Sequence, residues 1–398
     1  MREGWEYKRF TDVVWFQEGP GVRNTQYTKS GIKLLNVSNL VDGKLDLSNS
    51  SRYISEEEAY GKYKHFLVNE GDFIIASSGI QVSYFDKKMG FAKSEHLPLC
   101  MNTSTIRFKV LDDEVLDICY FMYYLKSETF KSILSRQITG SAQLNFGPSH
   151  IKRMSIPLPP LSIQQSIVAE LDEINNLLHL KKKELETFDK LAQSIFYEMF
   201  GDPVTNEKGW EVKKLREVCS PKKEIKRATK MFAPNDIIEY IDISSIDNST
   251  QKMTGCTNYV MLDAPSRAQQ CVQYGDIIVS TVRPNLKNIA IVDSYENNLV
   301  ASSGFCVLRP SNIERNYLFH FIISDNFTNH LMGLTTGANY PAVRDSDIIA
   351  STIPIPPLSL QQTFATRIET IEQQKEQVKA SINKLETLLA SRMQYWFD

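Results

Sequence analysis

Thr139 to Gln165 reads TGSAQLNFGPSHIKRMSIPLPPLSIQQ and Thr336 to Gln362 reads TGANYPAVRDSDIIASTIPIPPLSLQQ; the two align without a gap and share 12 of 27 positions. A match this long at a fixed shift of 197 residues marks an internal duplication of whole domains. The same shift carries through the segments that follow, Ser162 to Phe200 and Ser359 to Phe397. Toward the N-terminus of each copy, Gly4-Trp5-Glu6 recurs as Gly209-Trp210-Glu211, and Ile32 to Leu40 as Ile238 to Ile246. Gly71-Asp72-Phe73-Ile74-Ile75 recurs as Gly275-Asp276-Ile277-Ile278-Val279. The small changes of offset fit loops of unequal length between fixed strands. The middle of each copy differs, so the duplication keeps a frame and varies one surface, as two readers of related but different targets would.

The segments after the repeat carry an apolar stripe. In the first it runs through Ile167, Leu171, Ile174, Leu178, Leu185, Phe188, Ala192, Ile195 and Met199, broken only by Lys181. In the second it runs through Phe364, Ile368, Ile371, Val378, Ile382, Leu385, Leu389 and Trp396, broken by Lys375 and Arg392. A spacing of 3.5 residues predicts a left-handed coiled coil. A pseudo-twofold axis relating the copies would set the helices antiparallel with a globular domain at either end. At about 1.5 Å per residue, helices of roughly 35 residues would span about 50 Å, near one and a half turns of B-DNA. Each helix is introduced by a proline-rich elbow, Ile156 to Leu161 and Ile353 to Leu358, whose following Ser162 and Ser359 are candidate N-caps.

The remaining sequence alternates β-branched strand signals (Phe73 to Ala76, Ile237 to Ile243, Ile277 to Ser280, Ser302 to Leu308) with short helical ones such as Val115 to Leu125. The expected architecture is α+β: two mixed α/β domains at 1–161 and 201–358, related by duplication, each followed by a long helix, at 162–200 and 359–398, the two helices forming an antiparallel coiled coil.

With 398 residues and 42% hydrophobic content, the chain is long enough for two cores, and no apolar run has membrane-spanning length. The N-terminal MREGWEYKRF has no signal-peptide core, which points to a cytoplasmic protein. Six cysteines without CxxC pairs and six histidines without ligand spacing argue against zinc sites and a disulfide framework. The net charge of −2 hides an uneven distribution: Lys213 to Lys230 holds eight basic residues against Glu217 and Glu224. Such a run suits a phosphate backbone, with Lys222, Lys223, Lys226 and Arg227 as its centre, although a solvated face has the same composition.

The GW(E) start, the strand YIDIS, the GD(I/F)I(I/V) strand, the TGS or TGA loop, IPxPPLSxQQ and the FYEMFGDPVTNEKGW joint, in this order and mostly in duplicate, resemble the specificity subunit of type I restriction-modification systems over the whole chain. The resemblance implies two target recognition domains reading the halves of a bipartite double-stranded DNA site. It also implies that the helices set the spacer and dock two adenine-N6 methyltransferase subunits, joined by restriction/translocase subunits. S-adenosylmethionine, ATP and Mg would then belong to those partners, and this chain would carry no cofactor, no metal and no catalytic residue.

The residues agree with that expectation. No NPPY- or DPPY-type tetrapeptide, FxGxG cofactor loop or GxxxxGK[ST] phosphate loop occurs. Glu6-Tyr7-Lys8 and Glu211-Val212-Lys213 look like half of a nuclease site, but they open each repeat without an upstream acidic partner and read as structural. A self-sufficient methyltransferase or nuclease is the alternative; a purely structural coiled-coil adaptor would not need two divergent domain middles. Base readers must be polar and placed on loops after strands. The candidates are Ser78, Gln81, Ser83, Gln143 and Asn145 in the first domain, and Arg283, Asn285, Lys287, Asn339, Tyr340 and Arg344 in the second.

Overall fold

The computed structural model describes residues 4–137, 144–336 and 341–398, with the backbone alone for 80, 137, 144 and 145. The chain divides into two compact units, Met1–Lys182 with Ser381–Asp398, and Lys183–Ala380. The two long helices, α1 (Leu161–Phe200) and α2 (Leu358–Phe397), contribute to both.

Each unit is built on one frame. In the first, Leu99–Met101 pairs parallel with Ile32–Leu35, and Thr105–Val110 pairs antiparallel with Phe73–Ala76. In the second, Leu299–Ser302 pairs parallel with Ile237–Ile241, and Phe305–Leu308 pairs antiparallel with Ile277–Ser280. Glu6–Arg9 lies against Ser155–Leu158, and Glu211–Lys214 against Thr352–Ile355. The Glu-x-Lys triplets are therefore strand residues, with Lys8 and Lys213 bonded to Glu6 and Glu211 at the surface.

The duplicated motifs turn out to be bolts. In the Gly-Asp motif, Asp72 and Asp276 are almost fully buried and accept from the backbone N–H of Asn69 and Gln273. Each carboxylate also meets an arginine, Arg107 within the neighbouring strand at 2.8 Å and Arg309 just past it through two contacts of 2.8 Å. In IPxPPLSxQQ, Gln164 and Gln361 are buried; each accepts the N–H that opens a helix of its domain, of Asp117 and Glu314, and donates to Pro159 O and Pro356 O. Tyr120 and Tyr317, 197 residues apart, both donate to the elbow, to Pro157 O and Pro354 O at 2.7 Å. The elbow is thus tied to its own domain by buried polar groups, each with a partner.

Ser162 and Ser359 are not N-caps. Both lie inside the helices, where the N–H groups of Ile163 and Gln164 bond to Pro160 O and those of Leu360 and Gln361 to Pro357 O. Proline suits that position because its fixed φ is compatible with entry into a helix and its missing N–H is not needed there.

Within the first unit, Glu170 of α1 accepts from Arg392 and from the Trp396 indole (2.9 Å) of α2, and Lys182 meets Glu386 at 3.0 Å. Within the second, Asp189 meets Lys375 at 2.7 Å and the Phe196 ring lies 5.7 Å from that of Phe364. The helices are antiparallel in both. Ile167, Leu171, Ile174, Leu178, Phe364, Ile368, Ile371, Val378 and Ile382 are buried, while Leu185, Phe188, Leu385 and Leu389 are partly exposed. Toward each helix end the buried face moves by one residue, to Phe196 and Phe200 instead of Ile195 and Met199, and to Phe397 instead of Trp396. A straight helix drifts about 20° per heptad from a 3.5-residue repeat, so the last turns reach the domain as well as the partner helix. There Phe200 packs on Tyr317 (4.6 Å) and Phe397 on Tyr120 (5.5 Å).

The joint after α1 is a C-cap. Gly201, at φ +77°, ends the helix by donating to Tyr197 O, a conformation that favours glycine. The Trp210 indole bonds to Phe200 O (2.9 Å), and the Lys208 ammonium bonds to the last carbonyls, Glu198 O and Met199 O.

Three element boundaries differ from expectation. Ile237 to Ile243 stops being a strand at Ile241, because the Asp242 carboxylate collects the N–H groups of Ser244 and Ser245 and starts a helical turn. Ser302 to Leu308 is split between two strands, Leu299–Ser302 and Phe305–Leu308. The helix expected from Val115 begins at Ile118, where Asp117 caps it.

Candidate nucleic-acid interface

In the second unit the basic run is built into a cleft. Ala228 is fully buried, in a small core with Ile238, Tyr240, Ala268 and Val300, and anchors the segment. Its backbone runs beside the edge strand Ala268–Cys271: Cys271 N donates to Lys226 O (2.9 Å) and Arg227 pairs with Gln270. With the backbone fastened this way, Lys222, Lys223, Lys226, Arg227 and Lys230 remain exposed and line a cleft of about 720 Å³ with Gln269, Gln270, Ser303 and Asp345. Five cations against one carboxylate, itself paired with Lys222, make this a site for an extended anion.

The strand-end loop and the repeat loop meet in each unit. Phe146 N donates to Ser77 O (2.7 Å) in the first, and Val343 N to Thr281 O (2.9 Å) in the second. In the first unit this sets Leu144–Asn145 beside Ser78–Ile80. Ser78 is half-buried and donates to Ser104 (2.6 Å), whereas Gln81 and Ser83 are exposed. Gln143 lies outside the described residues, as does the side chain of Asn145.

In the second unit Arg283 N donates to Pro341 O (2.7 Å), and both Arg283 and Lys287 adopt φ +50° around the turn Pro284–Leu286. Left-handed backbone at two non-glycine residues is held against a local preference of about 1 kcal/mol or more each, which aims this loop in one direction. Asn285 is exposed; Lys287 bonds to Asp325 at 2.6 Å and lines a different pocket from the basic run. Arg344 is exposed and adjoins Asp345, so it lies next to the basic cleft. Asn339 and Tyr340 lie outside the described residues.

Gln269, Gln270 and Ser303 carry no signal in the sequence. No motif marks them, and only the pairing of the basic run with their strand brings them to the cleft.

A second polar cluster in this unit ties domain to helix. Lys252 meets Glu372 (2.9 Å) and Glu376 (3.0 Å) of α2, and Lys375 meets Glu372 and Asp189 at 2.7 Å. Burial works against the charge of Lys252, but the two glutamates outweigh it and raise its pKa. His320, packed against Phe196 and Phe364, is held neutral: burial lowers its pKa to about 4. Burial also pushes the thiols of Cys100 and Cys219 up to about 12, as inert core groups would be. Among the described residues no group of three or more His, Cys, Asp or Glu side chains is placed to hold a metal ion, and no helix is long and apolar enough to cross a membrane.

Two domains of one frame with divergent surfaces, a basic cleft and paired long helices define a class of modular recognition proteins. Residues 2–187 and 207–387 each match the family of type I restriction modification DNA specificity domains, and the chain belongs to that family. The chain is 24% identical to the type I restriction enzyme MjaVIII specificity subunit of Methanocaldococcus jannaschii, over 97% of this chain and 92% of that protein. It is 24% identical to the HindI specificity subunit of Haemophilus influenzae over 42% of its length and 38% of that protein. Among solved structures, the S subunit of a type I system from M. genitalium has the same fold, with a TM-score of 0.52 at 15% identity over 98% of this chain and 95% of that one. A chain from a structural study of complex assembly and conformational transition in a type I R-M system matches at a TM-score of 0.58 and 17% identity, over 100% and 98%.

Proposed function

We propose that this chain is the non-catalytic reader of a type I restriction-modification complex: each domain recognises one half of a bipartite double-stranded DNA site. In this reading 1–161 and 201–358 are the two target recognition domains, and the helices at 162–200 and 359–398 hold the half-sites at a set spacing. They also dock two adenine-N6 methyltransferase subunits, to which restriction/translocase subunits add, and the complex works in the cytoplasm. Chemistry, S-adenosylmethionine, ATP and Mg belong to those partners.

The observation that carries the reading is the duplicated frame with divergent middles. Bolts such as Asp72 with Arg107 and Asp276 with Arg309 recur, whereas the basic cleft is built from residues of the second copy. Phosphate contacts would come from Lys222, Lys223, Lys226 and Arg227, and base contacts from the paired loops carrying Gln81, Ser83, Arg283, Asn285 and Arg344.

Exchanging residues 1–150 for those of a relative, in cells that also hold the partner subunits, tests it. Mapping methylated adenines is expected to show one half-site changed and the other kept. A simultaneous change of both halves would show that the domains do not read independently. Saturable S-adenosylmethionine binding to the isolated chain, measured by calorimetry, would favour a self-sufficient methyltransferase instead.

A further inference from the structure

The edge strand Ala268–Cys271 is irregular at the point where it enters the basic cleft. Ala268 pairs with Ser302 and Gln270 with Ala301, so Gln269 is the extra residue of a β-bulge. Bulges bend a strand and re-aim one side chain, and they concentrate beside functional sites. This one is held from within the domain. Gln270 donates through its amide to Ser302 O (3.0 Å) and Phe305 O (2.7 Å), and Ser303 N donates to Arg267 O (2.8 Å).

The two adjacent glutamines therefore have different tasks. Gln270 is committed to the fold, while Gln269 is exposed in the cleft, its amide resting on Ser266 O at the surface (2.9 Å). A surface bond of that kind exchanges with water or a ligand at little net cost. Four of the five cations sharing the cleft are lysines, flexible point charges suited to phosphates, which carry no sequence information. A carboxamide among them is of another kind: its donor and acceptor match the N7 and N6 edge of adenine in the major groove.

We propose that Gln269 is a specificity-determining residue of the second domain, reading an adenine while Lys223, Lys226, Arg227 and Lys230 hold the flanking phosphates. This rests on the DNA-reading function proposed above and adds to it a residue and a base.

The test uses the full chain, assembled with its methyltransferase partner subunits, to select from a pool of randomised DNA duplexes. Three proteins are compared: the native chain, Gln269→Ala, and the double variant Lys226→Gln/Arg227→Gln. The native selection is expected to contain an A·T pair whose preference falls roughly tenfold or more in Gln269→Ala, with the other positions and the salt dependence unchanged. The double variant is expected to keep every base preference, bind more weakly and show a slope of log affinity against log salt smaller by about 2.

If Gln269→Ala selects the native sequence while the double variant weakens binding, Gln269 is not a reader and the DNA-reading function stands. If the native chain selects no sequence, both fall. Should Gln269→Ala lower the Tm, Gln269→Glu keeps the side-chain shape and replaces the donor by an acceptor. Its preference is expected to move from adenine toward cytosine, and an unaltered adenine preference would overturn the proposal.

Discussion

The two units differ where a strand passes the parallel pair of the frame. In the second unit, Val272 N donates to Leu299 O and the chain before it is the edge strand with the bulged Gln269. In the first, Val68 N donates to Leu99 O, but the chain before it is a helical turn, Lys64–Phe66. The His65 and Leu67 carbonyls of that segment accept from Arg107. The same place in one frame is used to expose side chains in one copy and to close over a buried arginine in the other. Buried, paired residues cannot change singly without stranding a partner, whereas an edge or a turn can be rebuilt with small consequences for stability.

The largest effect is expected from breaking the shared bolts. Asp72→Ala should destabilise its unit by about 3–5 kcal/mol, because it removes the carboxylate that balances the buried Arg107, and Asp276→Ala should act in the same way on the partly exposed Arg309 at a smaller cost. The first should be the more severe, since the Arg107 side chain is 6% exposed and that of Arg309 18%. Denaturant unfolding of the two variants checks this, and equal losses would show that exposure of the arginine does not matter.

A smaller effect distinguishes the copies by pH. Tyr123 and His320 stand 197 residues apart; the first donates to Asp172 (2.5 Å), the second is a neutral histidine whose pKa burial lowers to about 4. Since the unfolded histidine takes its proton near pH 6.5, the unfolded state gains protons first as pH falls. Stability of the second unit should be complete above about pH 6.5, decline down to about pH 4 by up to about 3 kcal/mol, and level off below. Thermal melts across that range should show the loss for the native chain and a flatter profile for His320→Phe.

Next come the glutamines of the elbow. Gln164→Ala and Gln361→Ala leave a partly buried N–H, of Asp117 and Glu314, without an acceptor, so each should cost about 1–3 kcal/mol. Similar losses in both copies would match the bonds they share; a loss in one only would mean that the elbow is not equally important to both. The smallest effect is expected at a position where the copies diverge. Glu170, partly exposed and bonded to Arg392 and Trp396, corresponds to the exposed Arg367. Glu170→Ala should lower stability by no more than about 1 kcal/mol and Arg367→Ala by less, measured in the same unfolding assay.

The frame was legible in the sequence because it is written twice and is periodic. The repeats at Thr139 and Thr336, the Gly-Asp strands and the heptad stripes each mark residues whose surroundings the backbone geometry itself dictates. The boundaries were less legible. Ser162 looks like a cap, but the proline carbonyl two residues earlier does the work; Phe196 and Phe200 replace Ile195 and Met199 because a helix drifts against its heptads. The candidate interface was legible only in its cations. Lys222, Lys223, Lys226 and Arg227 stand out as a run, while Gln269 and Ser303 are distant in sequence and carry no pattern.

By itself, then, the sequence determined the duplication, the mixed α/β class, the two long helices and the place of the basic run, all set by local periodicity and composition. Only the tertiary structure decided what the repeated residues are for. It made Asp276 the partner of Arg309 and Gln361 the acceptor for Glu314, and it laid the basic run along a bulged edge strand beside Gln269. The reason is range: helix and strand signals act over a few residues, whereas a buried charge finds its partner, and a cleft its walls, among residues tens of positions away.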